Sequence, residues 1–125
     1  YQIPFPHLAC GTVVLDDLPD LYSQCDVALV LSLTNLSLLP LELMACGCAV
    51  VSNRGDCVQW LLTDEVAVLT MASPEALADA VCDLLEDDDR RHALTERAEA
   101  FARSQAWDVV ARAFESGLHA ARRDG

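Results

Sequence analysis

Between Thr34 and Glu42 the chain reads Thr-Asn-Leu-Ser-Leu-Leu-Pro-Leu-Glu, a short polar loop running into a helix start that carries one carboxylate. These residue types at this spacing suit a diphosphate. A helix N-terminus offers unpaired backbone N–H groups and about half a positive charge, so it attracts phosphate without a lysine. On this reading Leu36, Ser37 and Leu38 offer their N–H groups to phosphates. Glu42, roughly one turn in, accepts hydrogen bonds from a ribose diol. Pro40 falls in the first turn, where its missing N–H is not needed. A plain strand–loop–helix with Glu42 in solvent accounts for the same residues and stays open at this point.

Composition removes most other chemistries. The 125 residues include 20 acidic and 8 basic ones, a formal net charge of −12. All eight basic residues are arginines, and Arg54 is the first, so residues 1–53 carry five carboxylates and no Lys or Arg. A Walker-type phosphate loop and a Schiff-base enzyme both need a lysine that is absent. The acidic balance argues against nucleic acid and anionic membranes as partners, and solubility accounts for it. The six cysteines, Cys10, Cys25, Cys46, Cys48, Cys57 and Cys82, form no C-x-x-C pair. Cys46-Gly-Cys48 is too tight for a zinc knuckle, and His7, His92 and His119 are not spaced to complete one. Neither a metal site nor a cofactor is expected, and most thiols read as small hydrophobes in a reducing cytoplasm. Asp16-Asp17 resembles the acidic pair of a receiver domain, which would again need a lysine. Asp87-Asp88-Asp89 lacks the alternation and glycine of a calcium loop. Glu42 and Asp56 could form an acid–base pair, but nothing in the sequence sets their separation.

The elements that must position the 34–42 segment follow from periodicity. Thr12-Val-Val-Leu15 reads as a strand, followed by a helix with Leu18, Leu21 and Tyr22. Val27–Ser32 is a continuous apolar run, expected to be a central parallel strand covered on both faces. Residues 38–46 suit a short helix stopped by Gly47. Cys48–Ser52 and Val66–Thr70 read as further strands, with a helical turn over Gly55–Leu62 between them. Ser73-Pro74-Glu75 is a helix start, a capping hydroxyl followed by proline. The Asp87–Asp89 run caps the next helix. A last helix begins near Trp107, with Val110, Ala111, Phe114 and Leu118 on its expected buried side, and Trp60, Trp107 and Phe114 read as core. The expected class is α/β: a partial Rossmann-like domain with a parallel sheet of about four strands, flanking helices and a helical C-terminus. No apolar run reaches the roughly 18 residues of a membrane span. The sequence opens at Tyr1 without an initiator Met and is expected to be an N-terminally truncated piece of something longer.

Taken together, Cys25-Asp26-Val through Ser32, Pro40-Leu-Glu42-Leu-Met-Ala-Cys-Gly47 and Ala49-Val-Val-Ser52 resemble the donor-binding half of GT-B glycosyltransferases of the family 4 type. Leu21-Tyr22, the Pro74-Glu75-Ala76-Leu77 helix with Leu84-Leu85-Glu86-Asp87, and Ala106-Trp107 concur, so the resemblance runs from about Leu8 to Leu118. That family carries a Glu-x7-Glu pair. Its ribose-holding second Glu matches Glu42. Its first, which contacts the transferred sugar, falls on Thr34, a departure similar to a subgroup near rhamnan-type rhamnosyltransferases and suited to a less polar or deoxy sugar. The family's diphosphate-binding Arg and Lys, and its whole acceptor domain, have no counterpart in these residues. Arg54 is the one cation near the motif, and His7 does not match the family's catalytic His.

The resemblance implies a C-terminal, nucleotide-sugar-binding domain over residues 1–125. The reaction it implies is transfer of a glycosyl group from a nucleoside diphosphate sugar to a glycan or lipid-linked acceptor. That reaction needs no metal, since backbone amides and basic side chains stabilise the leaving diphosphate. Donor contacts fall to Thr34, Asn35, Leu36, Ser37, Leu38 and Glu42. A cytoplasmic location is implied, peripheral at the inner membrane through regions outside this sequence. Two alternatives stand beside it: a non-catalytic nucleotide-binding or assembly module self-associating through an exposed sheet edge, and a sugar-nucleotide epimerase of GT-B fold.

Overall fold

A computed structural model describes residues 3–122. Three strands, β1 (Val27–Val30), β2 (Ala49–Asn53) and β3 (Val68–Thr70), form one parallel sheet in the order β1-β2-β3. Val27 pairs with Ala49 and Val51 with Val68, which sets the register across the sheet. Parallel neighbours need a crossover between them. The crossovers are α2 (Leu39–Ala45), between β1 and β2, and α3 (Asp56–Gln59), between β2 and β3. A short helix, α1 (Leu18–Tyr22), precedes the sheet. Three longer ones follow it: α4 (Pro74–Glu86), α5 (Asp88–Ser104) and α6 (Trp107–Ala121).

β2 is the buried centre, with all five of its residues inside. Its side chains alternate between two layers, as the strand period of two requires. Val50 joins Met44, Val58, Leu62 and the α5 residues Ala98 and Ala102 on one side. Ala49 and Val51 pack with Leu77, Ala80 and Leu84 of α4 and Leu94 of α5 on the other. Gly47 is required where α2 turns back into β2. Its φ of 77° is left-handed, and the Gly47 and Cys48 N–H groups close onto the Met44 and Leu43 carbonyls at 3.1 and 3.0 Å. That pair of bonds is the Schellman ending that glycine permits.

The helix starts read from the sequence have their expected caps. Ser73 Oγ accepts from the Ala76 N–H at 3.2 Å, and Asp87 Oδ1 from the Arg90 N–H at 2.9 Å. Three expectations are corrected. Thr12–Leu15 is not a strand: the segment leads into a 3₁₀ turn at Leu15–Asp17 and Val14 and Leu15 are exposed, so the described sheet has three strands rather than about four. β1 is not central: it pairs with β2 alone, and Leu29 stands 49% exposed. α6 has no buried side: Val110, Phe114 and Leu118 are exposed, and so are Trp107 and, outside α6, Trp60, both expected in the core. An amphipathic pattern says that one face seeks cover. It does not supply the covering surface.

Candidate functional site

β1 delivers the chain to the 33–38 loop at the sheet's carboxyl end, the side where open α/β sheets bind ligands. The exit is anchored by side chains from β2 and α3. Ser52 Oγ donates to the Val30 carbonyl at 2.7 Å. Asn53 Oδ1 accepts from the Ser32 N–H, and Asn53 Nδ2 donates to the Ser32 carbonyl, both at 2.8 Å. The Cys57 thiol reaches the same carbonyl at 3.1 Å. Asn53 and Ser32 are 2% and 7% exposed, so these bonds form away from water.

Beyond Ser32 the loop is pinned at one more point. Leu36 is buried in the α2-side core, whereas Thr34, Asn35, Ser37 and Leu38 are exposed around it. The Ser37 hydroxyl accepts from the Leu39 N–H at 3.4 Å. The first helical turn then closes on the Leu38 carbonyl, which accepts from Leu41 and Glu42. None of the hydrogen bonds among the described residues engages the N–H of Leu36, Ser37 or Leu38. Leu36 therefore has two separable parts, a side chain spent on packing and an amide left open.

Glu42 is exposed on α2 and lines two crevices. One, of about 420 Å³, lies against the end of α5 and the start of α6 and is walled by Leu38, Leu41, Ala102, Arg103 and Trp107. The other, of about 310 Å³, lies against α1 and is walled by Leu15, Leu18, Pro19, Tyr22 and Cys46. Burial, and then the Glu42 charge, push the Tyr22 hydroxyl and the Cys46 thiol up from their ordinary pKa values. Both groups therefore stay protonated around neutral pH, and a carboxylate sits between apolar walls beside neutral groups.

The structure brings Leu38 and Glu42 together on one crevice wall. Thr34, Asn35, Leu36 and Ser37 line neither crevice. Asp56 begins α3 and also lines neither, so an acid–base pairing with Glu42 has no common crevice. Arg54, the cation nearest the motif in sequence, is held in a two-pronged bond to Asp64 at 2.7 and 3.0 Å. The cation beside Glu42 is instead Arg103, carried there by the packing of α5 on α2 and itself paired with Glu99. Arg103, Trp107 and Tyr22 are the residues that sequence reasoning missed here. Only the amphipathic period of their helices hinted at a location, and period does not say which helices meet. Among the described residues no group of three or more His, Cys, Asp or Glu is placed to hold a metal ion.

The chain thus combines a parallel sheet and crossover helices with an apolar crevice that carries Glu42 and Arg103. The family model "Glycosyl transferase-like" matches residues 6–116, and the chain belongs to that family. It is 36% identical over 101 residues to the O-antigen biosynthesis protein RfbC of Myxococcus xanthus, a match covering 78% of this chain and 8% of that protein. In fold it is similar to the sucrose-phosphate synthase of Thermosynechococcus elongatus, with a TM-score of 0.77 and 22% identity over 92% of this chain and 30% of the other. It is also similar to HepE of Anabaena in complex with UDP and glucose, with a TM-score of 0.69 and 26% identity over 83% of this chain and 30% of the other. The chain thus spans less than a third of the length of each of these relatives. It is a glycosyltransferase-family domain of α/β, GT-B type.

Proposed function

We propose that this chain is the nucleotide-sugar-binding, C-terminal domain of a glycosyltransferase. The whole enzyme moves a sugar from a nucleoside diphosphate to a glycan or lipid-linked acceptor in polysaccharide synthesis. One observation carries the assignment of the site: within a chain of this family, the sole carboxylate of the 34–47 motif stands exposed at the mouth of a crevice instead of inside the core. Glu42 accepts hydrogen bonds from the ribose hydroxyls. The open N–H groups of Leu36, Ser37 and Leu38 receive the diphosphate, and oriented amide dipoles of this kind stabilise charge that develops on a departing phosphate. Thr34 and Asn35 face the sugar, and the neutral Thr34 favours a less polar or deoxy one. HepE, solved with UDP and glucose, supports a nucleoside diphosphate sugar as the ligand class. No described helix is long and apolar enough to cross a membrane.

Calorimetry with UDP, dTDP and GDP tests this. Binding of one of them in the micromolar range, weakened at least about tenfold by Glu42→Ala, is the expected result. Unchanged affinity in that variant refutes the ribose assignment, and no binding by the unsubstituted protein refutes the donor site.

A second reading rests on a separate observation. Among the described strands β1 has one edge unpaired, and Leu29 in it and Leu31 just after it are exposed, the kind of edge that invites strand addition. Self-association through that edge predicts a concentration-dependent dimer in sedimentation that Leu29→Lys abolishes. A monomer at all concentrations refutes it.

A further inference from the structure

We infer that Asn53 is a positioning residue for donor binding: its side-chain amide stands in for a strand and sets where the 33–38 loop leaves the sheet. The inference rests on the donor reading above and goes beyond it, because Asn53 itself touches no ligand.

The reason lies in how the β1–β2 ladder ends. Main-chain pairing stops at Val30 and Ser52. At the next step the β2 backbone turns its bonds toward β3, where Asn53 pairs with Thr70 and the Arg54 N–H donates to the Thr70 carbonyl at 2.7 Å. Ser32 is left with a buried peptide N–H and carbonyl and no strand to meet them. A primary amide has the same donor–acceptor face as a peptide. Asn53 turns that face to Ser32 and makes both bonds at 2.8 Å. Asp would lose the donor, and Ser or Thr lacks the reach to make both bonds.

The consequence falls on the loop. From Ser32 the chain runs through Leu33, Thr34 and Asn35 to the buried Leu36, then on to α2. Its path has two fixed points before the helix, the amide clamp at Ser32 and the Leu36 plug. With the clamp gone, the first point is held only by the Cys57 thiol, a weak donor, and by the Ser52 bond two residues upstream. The open amides at 36–38 would then sample directions instead of sharing one. Small misplacements of groups that must converge on one ligand are expensive.

The test uses the full-length protein, UDP as the probe, and three variants. Asn53→Asp keeps the shape and the acceptor while removing the donor. Asn53→Ala removes both. Leu84→Val, on the buried side of α4 against the opposite face of the sheet, loosens the core without approaching the loop. Thermal midpoints match the destabilisation of the three. The Asn53 variants should bind UDP at least about tenfold more weakly while still folded, and the backbone amide signals of residues 33–38 should broaden before ligand is added. Leu84→Val should lower the midpoint and leave both the affinity and those signals in place. If Asn53→Asp folds and binds UDP as the unsubstituted protein does, the positioning role is wrong and the donor site stands. Equal losses in Leu84→Val and the Asn53 variants reduce Asn53 to general stability and overturn the role. Failure of the unsubstituted protein to bind UDP, with dTDP and GDP also silent, removes the donor reading and the role with it.

Discussion

Cys48 shows how completely burial can silence a residue that looks reactive. It lies fully inside, and burial, followed by the charges of Cys25, Asp26 and Cys46, pushes its thiol pKa up to about 12. The thiolate is the nucleophile, so a thiol held protonated is inert. Iodoacetamide at pH 8 should therefore modify the exposed Cys10, Cys25 and Cys82 and spare Cys48, as peptide mass spectrometry would read. The same proton couples to folding. Because the folded state holds it more tightly, the stability tied to it is complete below the ordinary thiol value of 9.0 and is lost as pH climbs through about 12. Cys46 and Tyr22 are raised too and add to the loss in the same direction. Urea titrations at pH 8 and 10.5 should show the midpoint fall, and Cys48→Ala should flatten that fall. Arg54 makes the opposite point. Its two-pronged bond to Asp64 has good geometry, yet both side chains are about half exposed. Exposed pairs contribute little, so Asp64→Asn should lower stability by less than about 1 kcal/mol in urea titration.

Among the elements, α4 was the most legible. A hydroxyl at Ser73, proline at the next position and apolar residues at 77, 81, 84 and 85 predict where it starts and which side it buries; the cap and the packing of Leu77, Val81 and Leu84 agree, whereas Leu85 stands exposed. Ser73→Ala removes the cap at Ala76 and should cost about 1 kcal/mol, measured as a lowered urea midpoint. β2 was legible because a continuous apolar run is the pattern of a strand covered on both faces, and all five residues of β2 are buried. Thr12–Leu15 was misleading. β-branched residues fit a pleated surface, but a strand needs a neighbour to bond to, and none of the described strands runs beside this segment. Val27–Ser32 misled in a milder way: its strand is real, yet its composition could not say that only one of its edges would be paired.

Over the whole molecule, charge and the sixth helix set the behaviour. A net charge of −12 should keep the protein from associating with duplex DNA at physiological salt, a null that a gel-shift titration can check. α6 carries Trp107, Val110, Phe114 and Leu118 on exposed positions, so it adds little to the stability of the rest. Changing Val110 and Leu118 together to Gln should move the unfolding free energy by no more than about 0.5 kcal/mol per site. The same change beneath β2 would be ruinous, because Met44, Val50 and Leu84 have no solvent to turn to. Calorimetric unfolding of the double variant beside Met44→Ala, expected to lose about 2–5 kcal/mol, separates the two situations.

What this chain's sequence settled by itself is whatever depends on near neighbours: helix starts at Ser73 and Asp87, the glycine stop at Gly47, the buried run of β2, and a loop that enters a helix bearing Glu42. Local hydrogen bonding and side-chain periodicity act over a few residues and are written directly in residue order. Tertiary structure alone decided which distant groups meet. It closed the Asn53 amide on Ser32, brought Arg103 and Trp107 to the crevice beside Glu42, tied Arg54 to Asp64, and left β1 and α6 with apolar faces uncovered. Those outcomes follow from how α5 lies on α2 and where the sheet's edges fall. Packing of that kind is a property of the whole chain's contacts, and no short stretch of it carries the information.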